Sequence, residues 1–340
     1  MASKEQEKIL AHENTSDEVL RIEGLNVEYL TDEGCAKAVN DLNLVVKKGK
    51  TVGLVGETGS GKTTTALSIL RLVPDPPGVV TADKIILDGM DINSLTEGEM
   101  DYVRGSVASM IFQDPMTALN PIMTVGEQIE ETLRIHEGLS KEEAYKKAGE
   151  MLELVGIPAE RAKDYPHQFS GGMKQRVVIA IAFSCSPKLL IADEPTTALD
   201  VTIQAQVLAQ MKELREKFGM AMIMITHDLG IVAQTCDEVA VVYAGRIIEY
   251  GHIRDVFKNT KHPYTKGLFG SLPRINDDRD MLEPIPGLMP DPMELPPGCP
   301  FAPRCKYATD KCSEKLPEKY FFENEHYAMC CRYDEAGFSL

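Results

Sequence analysis

The 340-residue sequence lacks any apolar run approaching the 18 or more residues needed to cross a bilayer. Its first eighteen residues, Met1 to Glu18, carry charge and no apolar core of the kind a secretion signal needs, and are expected to form a flexible leader. A cytoplasmic chain is expected, which must dock on other subunits if it works at a membrane. Basic residues are in deficit: 36 Lys and Arg stand against 52 Asp and Glu, a formal charge of −16. That balance argues against a long footprint on a nucleic-acid backbone. Cysteine is too sparse for a disulfide scaffold. Cys35, Cys185 and Cys236 are scattered, while Cys299, Cys305, Cys312, Cys330 and Cys331 crowd the last 42 residues. In a reducing compartment such a cluster points to metal before disulfide. There is no internal repeat.

The sequence is otherwise that of an ordinary globular protein, 43% hydrophobic and 26% charged, with a length that suits about two domains. Residues 19–55 alternate apolar and polar positions (Val19, Leu20, Ile22, Leu25, Val27, Tyr29, then Leu42, Leu44, Val46) broken by Gly24, Gly34 and Gly49. This predicts short antiparallel strands. Val125 to His136 and Lys141 to Val155 carry the 3.6-residue spacing of amphipathic helices, within a helical subdomain over about 116–185. From Lys188, short apolar runs (Leu189 to Ala192, Ala221 to Ile225, Val239 to Tyr243) alternate with a helix at Thr202 to Phe218. That is the pattern of an α/β fold with a mostly parallel sheet. Pro273, Pro284, Pro286, Pro290, Pro292, Pro296 and Pro297 predict an extended linker over 273–298, leading into the cysteine-rich tail.

Residues 56–63, Gly-Glu-Thr-Gly-Ser-Gly-Lys-Thr, make one complete G-x-x-x-x-G-K-[ST] loop between a strand-like run (Thr51 to Val55) and a helix-like run (Thr64 to Leu72). Gly56, Gly59 and Gly61 allow a tight turn whose N–H groups, with those of Ser60 and Thr64, face phosphate oxygens. Lys62 adds a point charge for the β- and γ-phosphates, Thr63 a hydroxyl for Mg²⁺, and the following helix its positive end. Leu189 to Glu194 is an apolar strand ending in two carboxylates. Phosphoryl transfer needs one acid near Mg²⁺ and a second group to position or deprotonate water, and Asp193 and Glu194 fit those roles in that order. Taken alone, that stretch reads better as two acids ending a core strand, and the other motifs decide against that reading.

Phe169-Ser170-Gly171-Gly172-Met173 resembles the L-S-G-G-Q signature of ATP-binding-cassette (ABC) ATPases, with Phe169 in place of Leu and Met173 in place of Gln. The other family elements follow in order. Gln113 in Ile111-Phe112-Gln113-Asp114-Pro115 resembles the Q-loop, Ala198-Leu199-Asp200 the D-loop, and His227 the switch histidine. Tyr29 stands where the family places an aromatic that stacks on adenine. The resemblance covers about residues 19–255. It implies an ABC-type P-loop NTPase domain binding ATP and Mg²⁺, with Glu194, His227, Gln113 and Lys62 in catalysis and Thr63, Gln113 and Asp193 around the metal. It also implies that Ser170, Gly171, Gly172 and Asp200 serve the nucleotide of a second subunit, so that ATP closes a pair of cassettes and hydrolysis reopens it.

Residues 262–274 (His-Pro-Tyr-Thr through Leu-Pro-Arg), Ile285 to Phe301, and Arg304-Cys305 resemble the C-terminal extension of ATPase subunits in the oligopeptide/dipeptide importer branch of that family. This assigns 256–340 to a small Cys-rich extension. The resemblance implies a subunit at the cytoplasmic face of the membrane, powering peptide uptake through two separate permease subunits. An extracytoplasmic substrate-binding protein and a second ATPase subunit, paralogous rather than identical, complete the assembly. Nickel or another small solute is an alternative cargo. A soluble ABC ATPase acting on ribosomes or DNA is disfavoured by the single phosphate loop and the acidic charge. In that branch many members carry four such cysteines binding a 4Fe–4S cluster. The spacing C-x5-C-x6-C-x17-C-C suggests Cys299, Cys305, Cys312 and Cys330, with Cys331 as the alternative fourth ligand, and zinc or free buried thiols as the competing readings.

Overall fold

In the computed structural model the described residues are 16–197, 199–271, 284–335 and 338–340. Most of the leader, Ala198 of the D-loop stretch, and residues 273–283 of the proline-rich segment, Pro273 and Arg274 among them, lie outside them. The strands run, in chain order, Glu18–Thr31 (β1), Gly34–Lys47 (β2), Thr51–Val55 (β3), Gly78–Thr81 (β4), Lys84–Leu87 (β5), Met90–Asp91 (β6), Ala108–Ile111 (β7), Leu189–Asp193 (β8), Ala221–Ile225 (β9), Glu238–Tyr243 (β10), Arg246–His252 (β11), Lys319–Phe321 (β12) and Tyr327–Met329 (β13). Described residues fall into two compact units, one from Met1–Arg21, Val45–Thr51 and Ile85–Ile225, the other from Ile22–Leu44, Val52–Lys84 and Thr226–Leu340.

The first unit is built on three parallel strands: β8 pairs with β7 from Leu189↔Ala108 and with β9 from Leu189↔Ala221. β8 and β9 are buried at every residue, as their unbroken apolar sequences require of a strand covered on both faces. Its helices announce their starts. Thr124 and Ser140 each form a reciprocal capping box, with Glu127 and Glu143, ahead of Val125–Glu137 and Lys141–Leu154. Gly138 and Gly219 end Val125–Glu137 and Val201–Phe218 in left-handed geometry.

In the second unit β3 runs parallel to β10, which turns through Ala244 and Gly245 into antiparallel β11, and β13 and β12 extend that edge. Gly34 opens β2 and Gly49 lies between β2 and β3, as expected, but the expectation of short strands with a break at Gly24 is corrected here. β1 and β2 are each 14 residues long, and β1 runs straight through Gly24. Gly24 takes a φ of +62° and its N–H donates to Asn43 Oδ1 at 3.1 Å, so the glycine kinks the strand without ending it. Of the proline-rich segment, residues 284–298 form no helix or strand and are tied down by Lys37 N–H donating to Pro292 O at 2.9 Å.

The tail packs as a small aromatic layer. Tyr243, Tyr264 and Phe301 meet with ring centroids 4.6–5.4 Å apart, and all three are at most 4% exposed. Beside them the fully buried Glu249 accepts hydrogen bonds from the N–H groups of Lys261 and His262 and pairs with His326 at 2.8 Å.

Candidate nucleotide site

In the second unit, buried β3 delivers the chain into the loop Gly56 to Thr63, and the helix Lys62–Ile69 leaves it. The glycines are required by space as well as by φ. A Cβ on Gly56 (φ +154°) would stand 2.1 Å from Val242 O, and one on Gly61 (φ +100°) 2.5 Å from Ala38 O. Gly59 (φ +81°) meets only Met289 Cε at 3.5 Å, so its requirement is conformational. Gly61 caps the helix in left-handed geometry with no side-chain cap bond. The dipole of the helix favours an anion at this end. Lys62, 8% exposed, rests its Nζ on Gly56 O (3.0 Å), Glu57 O (2.8 Å) and Ser60 Oγ (3.3 Å). Thr63 is exposed and Thr64 half-buried on the same turn. Tyr29 lies half-buried in β1 opposite Gly78, against which its ring packs. His227 is exposed in the turn after β9, ahead of Asp228, which caps Leu229–Thr235.

The first unit brings Gln113 and Glu194 together: Gln113 Nε2 donates to Glu194 Oε2 at 3.0 Å. Asp193 ends β8 and is 3% exposed. Glu194 follows with a φ of +46°, its N–H bound to Ile225 O at 2.8 Å, which turns its side chain out of the strand register. Thr197, which sequence reasoning missed, donates to the same Oε2 at 2.9 Å. A Thr three residues past a carboxylate is a turn signal that could have found it.

Ser170 caps the helix Gly171–Phe183, its Oγ accepting from Met173 N–H at 3.4 Å. Of the two glycines, Gly171 faces open space, whereas a Cβ on Gly172 would stand 2.6 Å from Ile203 Cγ2. Gly172 is thus demanded by helix packing whatever else it does. Both departures from the family signature are accommodated by one residue: Arg161 lays its guanidinium 4.2 Å over the Phe169 ring and directs Nη1 to Met173 Sδ at 3.7 Å. Asp200 is an N-cap, accepting from Ile203 N–H at 2.9 Å.

In the tail, Cys299, Cys305, Cys312, Cys330 and Cys331 line one cavity of about 10 Å³. The cluster foreseen from the spacing is therefore real as a gathering of sulfur, but not as a ready ligand set. Among the described residues no three or more His, Cys, Asp or Glu are arranged to hold a metal ion. Burial pushes the thiols of Cys299, Cys330 and Cys331 up to about 12. At Cys312 burial works upward too, but hydrogen bonds from Thr309 and from the Cys331 Sγ, 3.1 Å away, outweigh it and hold that thiol below the usual range. Both Cys330 and Cys331 belong to the group, so proximity does not select between them.

Among the described residues no helix is long and apolar enough to cross a membrane. A family model described as ABC transporter matches residues 39–197, and one described as the oligopeptide/dipeptide transporter C-terminal region matches 248–312. The chain is 48% identical over 330 residues to a putative peptide import ATP-binding protein of Brucella abortus, covering 93% of this chain and 98% of that one. It is 48% identical over 321 residues to the oligopeptide transport ATP-binding protein AppD of Bacillus subtilis, covering 94% and 98%. Against the oligopeptide transport ATP-binding protein OppD of Salmonella typhimurium it is 48% identical over 305 residues, covering 89% and 90%. Among solved structures, the ATP-binding cassette MJ0796 in a dimeric post-hydrolysis state with ADP and Pi superposes with a TM-score of 0.61 at 28% identity, covering 69% of this chain and 99% of that one. CbiO1 from Clostridium perfringens, part of the transporter complex cbiONQ, gives 0.61 at 30%, covering 71% and 91%. With phosphate loop, signature helix and C-terminal region all in place, the chain belongs to the ABC transporter family, in the branch that carries the oligopeptide/dipeptide transporter C-terminal region.

Proposed function

We propose that the chain is the ATP-hydrolysing subunit of a peptide importer, seated on the cytoplasmic face of the membrane through two permease subunits. A substrate-binding protein delivers di- or oligopeptides from outside. A second ATPase subunit, a paralogue, completes the pair. The observation that carries the reading is the phosphate loop itself, three positive-φ glycines and a buried Lys62 at a helix N-terminus, in a chain whose near-full-length relatives are named as peptide import or transport ATP-binding proteins.

Each residue takes a role its chemistry allows. The loop N–H groups of Gly59 to Thr64 and the Lys62 ammonium bind the phosphates, Thr63 and Asp193 hold Mg²⁺, and Tyr29 receives the adenine. Glu194 orients and deprotonates water, and Gln113, already hydrogen-bonded to it, sets its carboxylate. His227 contacts the γ-phosphate. Ser170, Gly171 and Gly172 at their helix tip face the nucleotide of the paralogue, with Asp200 on the same interface. ATP binding thereby closes the pair and phosphate loss reopens it. Purifying the tagged chain from membranes tests the assembly: permease subunits and a second cassette are expected, and ribosomes or nucleic acid in their place would refute it.

For the tail, a 4Fe–4S cluster on four of the five cysteines is the preferred occupant, with zinc the alternative; the sulfur donor type supports it, and the side chains would have to rearrange to bind. Bound, it would supply a staple for a segment too small to bury much core. Iron, sulfide and zinc analysis after anaerobic purification decides, and metal-free protein with full activity refutes both.

A further inference from the structure

The sharpest contact that the motifs do not account for is made on Glu57, the second residue of the phosphate loop. Every polar function of this residue is engaged. Its carboxylate receives Arg304 Nη1 at 3.1 Å (Oε1) and 3.0 Å (Oε2). Its N–H donates to Tyr264 Oη at 3.0 Å. Its carbonyl accepts from Lys62 Nζ at 2.8 Å. Two of those three partners come from the C-terminal region, some 207 and 247 residues further along the chain.

Neither partner is a casual surface contact. The Arg304 side chain is 6% exposed, against 31% for Glu57, and also donates from Nε to Pro286 O at 2.9 Å and from Nη1 to Tyr243 Oη at 3.3 Å. Tyr264 is fully buried in the aromatic layer with Tyr243 and Phe301. Arg304 is directly followed by Cys305, one of the five cysteines around the tail cavity. A buried guanidinium with fixed acceptors is rigid, so the carboxylate it holds is rigid too.

We infer that Arg304 and Tyr264 are positioning residues for ATP binding: the C-terminal region reaches back to clamp Glu57, and through Glu57 it sets the loop backbone and the resting place of Lys62. The competing account is that Arg304 merely anchors the extension, in which case its loss lowers stability and leaves nucleotide handling untouched.

The inference rests on the ATPase reading, and the test separates the two. The full chain in its membrane complex is assayed for ATP hydrolysis, the isolated full chain for binding of a fluorescent ATP analogue, and both for melting temperature. Tyr264→Phe removes one oxygen and no packing volume, and Arg304→Gln removes the cation. In each, KM and the dissociation constant for ATP are expected to rise about tenfold, the usual effect of losing a hydrogen bond to a well-fixed group, with kcat within about twofold. Arg304→Lys keeps the charge without the Nε contact and falls between. Glu57→Gln combined with Arg304→Gln is no worse than either alone, because both break one link. A wild-type complex that does not hydrolyse ATP overturns the ATPase reading. Wild-type KM in a folded Tyr264→Phe, or fully additive effects of Glu57→Gln and Arg304→Gln, overturns the clamp. Should Arg304→Gln fail to assemble, Tyr264→Phe alone decides between the clamp and the anchor.

Discussion

Replacing Gly56 by alanine places a methyl group 2.1 Å from Val242 O, 2.9 Å from Ser60 Oγ and 3.2 Å from the Val242 carbonyl carbon. An ordinary carbon–oxygen contact needs more than 3 Å, so roughly an ångström of relief must come from somewhere. It cannot come from β10, which is buried along its whole length and held on one edge by β3 and on the other by β11. The loop must move instead, and with it the N–H groups that bind phosphate. Overpacking of this kind costs about 1–3 kcal/mol, and forcing an L-residue to a φ of +154° adds about 1–3 kcal/mol. The sum is about 2–6 kcal/mol. Gly59→Ala is the internal control, since its φ of +81° carries strain alone, about 1–2 kcal/mol, with Met289 Cε at an ordinary 3.5 Å. Urea denaturation of both variants, with ATP-analogue titration of the folded protein, measures the difference. Gly56→Ala is expected to be the less stable by about 1–3 kcal/mol, the overpacking share, and to lose nucleotide binding. Equal destabilisation of the two variants would refute the reasoning that β10 sets the loop's first turn.

Glu194→Gln leaves ATP binding intact and lowers kcat by about 10²–10⁴ in the assembled complex, the range for removing a general base; near-wild-type turnover removes Glu194 from that role. Ser170→Ala forfeits the cap on Met173 N–H, costing about 1 kcal/mol, and weakens ATP-driven closure of the pair, which sizing with the paralogue and ATP detects. His262, 1% exposed and accepting from Tyr264 N–H at Nδ1, is held by burial down to about 3 from an ordinary value near 6.5. Between those two values the unfolded chain takes up a proton that the folded one refuses. The stability His262 contributes is therefore complete above about pH 6.5 and is lost as pH falls, by about 2 kcal/mol at pH 5. Denaturation of wild type and His262→Asn at pH 7 and pH 5 isolates this share, and an unchanged pH slope in the variant refutes it.

Much of the chain was legible because its signals are local. Helix starts at Thr124 and Ser140 are written as a hydroxyl three residues before a Glu, strand interiors as unbroken apolar runs, and the phosphate loop as glycines at positions where any Cβ strains or clashes. The order of the remaining motifs then placed Gln113, Ser170, Asp193, Glu194 and His227 in one family. Gly24 misled, since a glycine reads the same whether it ends a strand or kinks one, and only the Asn43 partner distinguishes the two. Gly171 and Gly172 look equivalent as letters, and what separates them is Ile203 on a neighbouring helix.

Sequence alone thus determined most of the elements, the nucleotide chemistry and the branch of the family, because each depends on residues a few positions apart. The tertiary structure decided what depends on distant residues meeting: that Arg161 packs against both altered signature positions, that five cysteines share one cavity, and that Arg304 and Tyr264 grip Glu57 from more than 200 residues away. Spacing along a chain encodes local hydrogen bonds and periodic burial, whereas such pairings exist only once the core has brought them within 3 Å.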